Sequence, residues 1–304
     1  MRVAVCIVGF RNKADIAQCL EALEQSDYRD FEVVICENGG PEAFEDLQAA
    51  LPTHLPDGQG VRIVAAPRNL GYAGGVNVCI AEAPQADAWW VLNPDTQPAP
   101  DALGHMVGRL AAGDGEAVGC TICTSGGVVE SRGGQWRAWL ARAVSLDHGK
   151  SVDAPVDLAA IEARVSYLSG ASMLVGRDFV SRAGVMREDY FLYGEEVEWC
   201  LRGQALGLTL AVAPAARVVH HQGSTTGSVA AVTGRSRTAV YLDERNKLLL
   251  TRDRFPALLP VVAPSALVML SLRFARRRAW RQLGYALDGW WAGLFNRRGQ
   301  PPWF

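Results

Sequence analysis

The chain has 304 residues and a mass of 32.8 kDa, and 49% of its residues are apolar, so it can bury a sizeable core. Its 30 basic and 32 acidic residues leave a net charge of -2, which excludes a global attraction to nucleic acid or another polyanion. The charge is uneven, because the stretch from Arg273 to Arg298 contains seven arginines and one acid, Asp288.

Seven cysteines are scattered without the spacing of a disulfide framework, which is typical of a reducing compartment. Cys120 and Cys123 form a CxxC pair, but no second pair accompanies them, so we expect them to pack in a strand or loop. The start of the chain, "MRVAVCIVGF", has no signal-peptide cleavage site and predicts a strand. We therefore expect a cytoplasmic protein.

The first third of the chain alternates short β-branched runs with helical patterns. The runs cover residues 3–10, 31–36, 61–66 and 88–93. Helical spacing follows from Ile16, and Pro41 and Pro100 stand where a proline can open a helix. This alternation predicts an α/β fold with a mostly parallel sheet covered by helices, and ligands of such sheets bind beyond the carboxyl ends of the strands.

The pattern becomes mixed after Gly113. The stretch "GGVVESRGGQWRAW" predicts a hairpin or flap, and "ARVSYLSGASMLVGRDF" predicts a strand that ends in a turn. Residues 194–205 predict a helix closed by Gly207. The stretches "LTLAVAP" and "ARVVHH" predict two further short strands.

The C-terminal part carries an uncharged, mostly apolar segment, residues 255–272, which has about the minimum length for a membrane span. Pro256, Pro260 and Pro264 interrupt its first half, and an arginine-rich segment with several tryptophans follows. We expect attachment to a membrane interface rather than a span. The alternative without a membrane is a helical cap on the soluble domain.

Polar loops follow the predicted strands, and "LNPDT" and "RNLGYAGGVN" are the most informative. Asp95, held after a buried strand by Pro94, suits a divalent cation that also takes phosphate oxygens, although a simple turn has the same composition. In the second loop, glycines precede a helix whose N-terminus favours phosphates. The GxGxxG fingerprint is absent, which argues against a dehydrogenase.

Two further clusters hold titratable groups. Of His220 and His221, which close a predicted strand, one must face away from the other, so we expect one metal ligand and not two. The alternative is a surface histidine in a polar loop. In "FLYGEEVEWCLR", Glu195 and Glu196 fall in the first turn of a helix, where the helix dipole favours ionised carboxylates. Glu196 is then free to accept a proton. The alternative is a solvated acidic turn, but the neighbouring aromatic rings indicate a pocket wall.

Eight stretches, taken together and in this order, resemble the family-two glycosyltransferases of the GT-A fold, in particular their bacterial rhamnosyltransferase-like branch. They are "VAVCIVGFRN", "VVICENGG", "RNLGYAGGVN", "WVLNPDT", "LSGASMLVGRDF", "DYFLYGEEVEWCLR", "VVHHQGST" and "ERNKLLL". The resemblance implies a Rossmann-like twisted sheet in a catalytic domain at residues 1–250, with a nucleotide-sugar half at 1–112 and an acceptor half at 113–250. Residues 251–304 would form a basic helical extension.

The resemblance also implies a donor site and a metal site. The implied donor-binding residues are Val8, Phe10, Glu37, Asn38, Arg68, Asn69, Gly71, Asn77, Asn93 and Asp95. "NPDT" takes the place of the DxD motif, so Asp95 and His220 would bind Mg²⁺ or Mn²⁺ that bridges to the donor diphosphate. Glu37 stands where the family has an aspartate.

The acidic pair of the family falls on Glu195 and Glu196, of which Glu196 would be the general base. The implied acceptor-binding residues are Gly170, Ala171, Tyr193 and Trp199. The implied donor is a nucleotide-diphosphate sugar, with dTDP-rhamnose favoured over UDP- or GDP-sugars. The acceptor would be a saccharide or a lipid-linked saccharide at the inner face of the cytoplasmic membrane, with no nucleic acid among the partners and with oligomers possible.

Two other functions compete with an inverting, metal-dependent transferase. Glutamates in place of aspartates at Glu37 and Glu196 are compatible with a catalytically silent protein that binds sugar nucleotides or glycolipids. A zinc hydrolase using His220, His221 and a glutamate is the third hypothesis, but the HExxH spacing is absent.

Overall fold

The computed structural model of the protein describes residues 1–221 and 232–304. Its strands are β1 Val3–Gly9, β2 Phe31–Glu37, β3 Val61–Ala65, β4 Ala88–Leu92, β5 Thr96–Pro98, β6 Ala117–Cys123, β7 Val129–Ser131, β8 Gly134–Arg137, β9 Arg142–Ser145, β10 Ser172–Gly176 and β11 Leu210–His220. Its α-helices are α1 Lys13–Glu24, α2 Pro41–Ala50, α3 Gly71–Glu82, α4 Ala102–Ala111, α5 Leu158–Glu162, α6 Arg177–Ala183, α7 Glu195–Ala205, α8 Arg237–Arg254, α9 Leu259–Ala275 and α10 Trp280–Leu294.

The described strands form one large sheet and one hairpin. The sheet has nine strands in the order β3-β2-β1-β4-β10-β6-β11-β5, with β7 beside β6. Neighbours among β1 to β4 are parallel, β10 is antiparallel to both β4 and β6, and β11 is parallel to β6. The predicted helix-covered, mostly parallel α/β sheet is confirmed.

Strand β1 shows why the chain folds this way. Its seven residues are all buried, since successive side chains point to opposite faces and helices cover both faces. Ala4, Cys6 and Val8 join the core on the side of α3. Val3 and Ile7, with their neighbour Val5, join the core on the side of α1. The sheet therefore lies between two apolar layers, and its strand ends are fixed on both sides.

Two predictions about local structure are wrong. After β10 the chain enters α6 directly instead of making a turn. The two short strands expected near residues 208–221 are a single strand, β11, with an irregularity between Ala213 and Arg217. The irregularity accommodates Pro214, which has no N–H for a sheet hydrogen bond. The predicted hairpin is present as the antiparallel pair β8 and β9.

The C-terminal helices α8, α9 and α10 pack on one another, and α8 contacts α7. The predicted boundary between residues 250 and 251 lies inside α8, and the division into domains stays a prediction. Within the described residues, one helical stretch, Pro256–Ala275, is long and apolar enough to cross a membrane.

The segment after α10 folds back toward residues of the first two thirds of the chain and toward α8. Arg298 forms ion pairs with Asp189 at 3.0 Å and with Asp253 at 2.7 Å. Farther along, the ring of Phe304 packs edge-on against Phe191 and Phe10, at centroid distances of 5.3 and 6.4 Å. The last described residues therefore contact the loops at the strand ends.

Candidate active site

A cavity of about 570 Å³ lies beyond the carboxyl ends of β1, β2 and β4. Most of the predicted site residues line it. They are Val8, Phe10, Asn38, Asn69, Gly71, Asn93, Asp95, Gly170, Ala171, Tyr193, Glu195, Glu196 and His220. The structure thus brings together Asp95 and Glu196, which are about a hundred residues apart in the sequence.

The loop after β4 is held by backbone hydrogen bonds on both sides. Asn93 N–H donates to the carbonyl of Ala171 at 2.9 Å, and His221 N–H donates to the carbonyl of Asp95 at 2.9 Å. The antiparallel pairing of β5 with β11 places His220 opposite Thr96. These contacts fix the Asp95 backbone between two strands of the sheet.

The side chains of Asp95 and His220 face each other at this end of the cavity. The imidazole Nε2 lies 3.4 Å from Asp95 Oδ1, and Nδ1 lies 3.3 Å from Glu130 Oε2 on β7. Burial lowers the pKa of His220, but the hydrogen bonds and charges of the two carboxylates outweigh burial and raise the pKa to about 9. His221 is exposed, so one histidine of the pair faces the cavity, as expected from their adjacency.

A carboxylate at this wall suits a divalent cation that takes its remaining ligands from phosphate oxygens, as Mg²⁺ does, and a neutral imidazole can add a nitrogen ligand. The described residues contain no group of three or more such protein ligands. Glu130, on the far side of the His220 ring, has the position of the carboxylate that commonly orients a metal-binding histidine. Asp95 would hold the cation, together with His220 once its Nε2 has lost its proton.

The other end of the cavity is a loop with unusual backbone geometry. Phe191, Tyr193 and Gly194 have φ angles of 69°, 71° and 85°. Left-handed angles are costly for residues other than glycine, so neighbouring contacts must hold this loop. Gly194 precedes α7, and the first residues of α7 are Glu195 and Glu196.

Helix α8 supplies the contacts that hold this loop. The Asn246 side-chain amide donates to the carbonyls of Tyr190, Leu192 and Tyr193 at 3.1, 2.8 and 2.6 Å. Arg245 donates to the carbonyl of Tyr190 at 2.7 Å and to Asn246 Oδ1 at 2.9 Å. Both side chains are buried. The "ERN" stretch, for which the sequence suggested no role, therefore clamps the loop that precedes the acidic pair.

Glu195 and Glu196 differ in their surroundings. Burial raises the pKa of Glu195 well above its usual range, and the charge of Glu196 raises it further. Burial also raises the pKa of Glu196, which is partly exposed to the cavity, although backbone N–H groups such as that of Gly194, at 3.0 Å, oppose the shift. Loss of hydration therefore opposes the predicted effect of the helix dipole and raises the pKa of both carboxyl groups. Glu195 therefore retains a proton to higher pH than Glu196.

Farther along α7, Arg202 forms an ion pair with Glu198 at 3.1 Å. The assignment of Trp199 to the acceptor wall is wrong. Its side chain is fully buried, packs edge-on against Phe179, and donates to the carbonyl of Gly184 at 2.7 Å. Trp199 lies one turn beyond Glu196 on α7, where its ring enters the core, whereas Glu196 lies at the N-terminal end of the helix beside the cavity.

Three predicted donor-binding residues lie off the cavity wall. Glu37 is buried and accepts hydrogen bonds from the N–H groups of Arg11 and Gly39 at 3.1 and 2.6 Å, so it shapes two strand-end loops. Asn77 bonds both backbone atoms of Met186. Arg68 is exposed.

The N-terminus of α3, expected to favour phosphate, faces protein instead. The N–H of Tyr72 donates to the carbonyl of Phe191 at 2.8 Å. Gly71 has φ +72°, and a Cβ there would lie 2.1 Å from the same carbonyl oxygen, so only glycine fits. Asn38 fixes this turn from β2 by donating to the carbonyl of Gly71 at 2.9 Å.

Sequence reasoning missed several residues that line the cavity. They are Tyr72, Pro94, Ser169, Leu192, Ser236, Thr238 and Phe304. Phe191, one of the aromatic residues expected to form a pocket wall, also lines the cavity. Tyr72 belongs to a recognised stretch and could have been included. Tyr72 donates to the carbonyl of Gly170 at 2.6 Å and so links the two halves of the chain. No sequence pattern indicated that Phe304 would line the cavity, because it lies at the far end of the chain from the other lining residues. Residues 222–225 of the histidine stretch lie outside the described residues.

Solved structures with the same architecture identify the class of fold. The mannosyltransferase PcManGT from Pyrobaculum calidifontis, solved with GDP-Man and Mn²⁺, matches with a TM-score of 0.58 at 15% identity and covers 97% of this chain and 88% of its own. TarS 1-349 from S. aureus, solved with UDP-GlcNAc, matches with a TM-score of 0.58 at 12% identity, covering 97% and 82%. The fold is that of the GT-A glycosyltransferases.

Sequence comparisons give the family. The model described as Glycosyl transferase family 2 matches residues 4–161, more than half of the chain. An N-acetylglucosaminyl-diphospho-decaprenol L-rhamnosyltransferase of Mycobacterium tuberculosis is 27% identical over 73% of this chain and 77% of its own length. The low-salt glycan biosynthesis hexosyltransferase Agl10 of Haloferax volcanii is 21% identical over 98% and 93%. The chain belongs to glycosyl transferase family 2 and is a glycosyltransferase.

Proposed function

We propose that the enzyme transfers a hexose, with inversion at the anomeric carbon, from a nucleotide-diphosphate sugar to a hydroxyl group of a saccharide acceptor. The observation that supports this proposal most directly is the shared cavity of Asp95 and Glu196. One carboxylate faces a histidine suited to a cation site, and the other follows a constrained loop with access to the cavity. An inverting transfer needs these two functions, a site for the leaving diphosphate and a base for the acceptor.

In this mechanism Glu196 takes the proton of the acceptor hydroxyl as the oxygen attacks the anomeric carbon. The bond between that carbon and the diphosphate oxygen breaks, and the diphosphate leaves with the electron pair. Asp95 and His220 would hold Mg²⁺ or Mn²⁺ at the diphosphate end of the donor site. The cation, when bound, neutralises charge that develops on the leaving group. Glu195, which keeps its proton more readily, limits the negative charge beside the base.

The relatives suggest the substrates. The mycobacterial relative is named for rhamnosyl transfer to a decaprenol-linked sugar, which favours dTDP-rhamnose as donor and a lipid-linked saccharide as acceptor, in the assembly of a surface polysaccharide. The structural neighbours were solved with UDP- and GDP-sugars, so these donors are the alternatives. Tyr193 and Phe191 offer rings on which a sugar can stack.

The test begins with thermal-shift measurements on the full chain, with dTDP-, UDP- and GDP-sugars in the presence and absence of Mn²⁺. The donor that stabilises the protein is then used to compare the wild type with Glu196→Gln. We expect this variant to bind the donor but to lose about 1,000-fold in turnover. Glu45→Gln, at an exposed position on α2, is the matched control and should keep full turnover.

Unchanged turnover in Glu196→Gln would show that Glu196 is not the general base. Tight donor binding by the wild type without transfer or hydrolysis under any condition would support the silent binding protein instead. The stereochemistry of the product, measured by NMR, tests inversion directly, and a product that retains the donor anomer would contradict the mechanism.

A further inference from the structure

The outward face of α9 is apolar, which is unusual for a helix at a protein surface. Its exposed positions recur every three or four residues and are Pro260, Val261, Pro264, Val268, Met269 and Leu272. Val268 is 58% exposed and Leu272 is 49% exposed. A surface helix normally presents polar side chains on this side, so a contiguous apolar stripe indicates a contact with something other than water.

The opposite face of α9 is occupied by the protein itself. Val262 and Ala266 pack with Leu248 of α8, and Leu270 and Phe274 pack in the neighbouring cluster. Only 28% of the most apolar part of the helical stretch Pro256–Ala275 is buried inside the protein. Crossing a bilayer would require α9 to leave these contacts, whereas lying on a bilayer surface requires no rearrangement.

Neighbouring elements extend the apolar surface. On α10, Trp280 and Trp291 are 63% and 51% exposed, and Phe295, directly after the helix, is 56% exposed. At the tip of the hairpin formed by β8 and β9, Trp139 is 64% exposed, and the tip residues 138–140 contact α9. We call the exposed side chains of α9, α10 and this tip the apolar face. Tryptophan is enriched where proteins meet the interface of a bilayer.

Positive charge accompanies the apolar face. Arg276, Arg277 and Arg278 follow α9 directly, and Arg281 begins the outer side of α10, all of them exposed. The acid in this region, Asp288, lies 3.7 Å from Arg237. Arginines at the edge of an apolar surface can hold anionic headgroups while the apolar side chains enter the acyl boundary.

We propose that the apolar face docks on an anionic lipid bilayer, with α9 lying in the interface. A bilayer suits the observations better than a second copy of the chain, because four exposed arginines are concentrated at one edge and would meet like charge in a symmetric contact. Docking itself is independent of the proposed reaction. Its use, which is to bring the cavity to a lipid-linked acceptor, rests on the proposed function.

The experiment is flotation of the full chain with phosphatidylcholine vesicles, with and without phosphatidylglycerol, in the absence of donor and Mn²⁺. We expect binding to the anionic vesicles that weakens as salt is added. Leu272→Glu should weaken binding about tenfold. The matched control is Leu206→Glu, because Leu206 is 48% exposed but lies after α7, away from the apolar face. Replacing Arg276, Arg277 and Arg278 by glutamine should weaken binding on the order of 100-fold.

Several outcomes would overturn this proposal. They are failure of the wild type to float with anionic vesicles, equal effects of Leu272→Glu and Leu206→Glu, and a dimer in sedimentation that Leu272→Glu dissociates. Circular dichroism checks that each variant is folded. Turnover of Leu272→Glu with a water-soluble acceptor should equal that of the wild type. Docking and transfer can therefore fail independently, and the results distinguish the two.

Discussion

The two ends of the cavity are built by different means. At the end that holds Asp95 and His220, backbone hydrogen bonds and strand pairing fix the residues. At the end that holds Glu196, a loop with left-handed residues depends on side-chain hydrogen bonds from α8. A side-chain substitution at the sheet end should leave the position of the backbone unchanged. At the loop end, the position of Glu196 should change even when the substituted residue does not contact a substrate.

Apart from the loss of the proposed base in Glu196→Gln, Asp95→Asn should give the largest effect, because it removes a charged ligand from a backbone that does not move. We expect kcat/KM to fall by about 100-fold with little loss of thermal stability. Steady-state kinetics over a range of Mn²⁺ concentrations provide the measurement. His221→Asn, at the exposed neighbour, is the control and should behave as the wild type. A similar loss in both variants would contradict the assignment of the cation site.

Asn246→Ala tests the loop end. The substitution removes the amide that bonds three carbonyls, so the strained loop relaxes and Glu196 loses its position. We expect kcat to fall about 30-fold while KM for the donor stays unchanged, since the donor end is fixed by the sheet.

The control for Asn246→Ala is Thr251→Val. Thr251 is fully buried on the same helix and bonds the carbonyl of Lys247, so its loss weakens α8 without touching the loop. Equal effects of the two variants on kcat would mean that Asn246 acts only through the general stability of α8. A rise in donor KM in Asn246→Ala would contradict the separation of the two ends.

Glu130→Gln should give a smaller effect at the sheet end. The carboxylate accepts from His220 Nδ1, and its loss leaves the ring less strongly oriented. We expect Mn²⁺ to bind about tenfold more weakly, measured by titration in the presence of a nucleoside diphosphate. Asp153→Asn removes a carboxylate that pairs with Arg217 at the surface and should leave Mn²⁺ binding unchanged. Equal affinity in all three proteins would show that Glu130 has no orienting role.

The smallest effect is a shift in pH dependence. Burial raises the pKa of Glu196, and this residue accepts a proton only when ionised. The rate should therefore be full above the raised pKa and fall as the pH decreases through it. Measurement of kcat/KM at saturating Mn²⁺ should place the acidic limb above about 4.3, the usual value for a glutamate. A limb at or below that value would mean that the base is solvated.

The sheet end was largely predictable from sequence, because a buried β-branched run fixes a strand and its carboxyl end fixes the loop. The loop end was only partly predictable. The residue spacing placed Glu195 and Glu196 at the start of a helix. It did not indicate which side chains of that helix turn inward, and in the structure Glu195, Glu198 and Trp199 are all buried. The role of Asn246 depends on carbonyls more than fifty residues away, and such contacts leave no local pattern.

The segment after α10 links the apolar helices α9 and α10 to the cavity, so these helices contribute to the site as well as to any membrane contact. Arg298 neutralises Asp189 and Asp253, and Phe304 forms part of the cavity wall. A chain shortened near residue 250 would lose this exposed apolar surface, but it would also open the cavity and remove one of the two arginines that pair with Asp189. Anyone seeking a more soluble form of the enzyme should therefore exchange outward-facing side chains and leave the polypeptide intact.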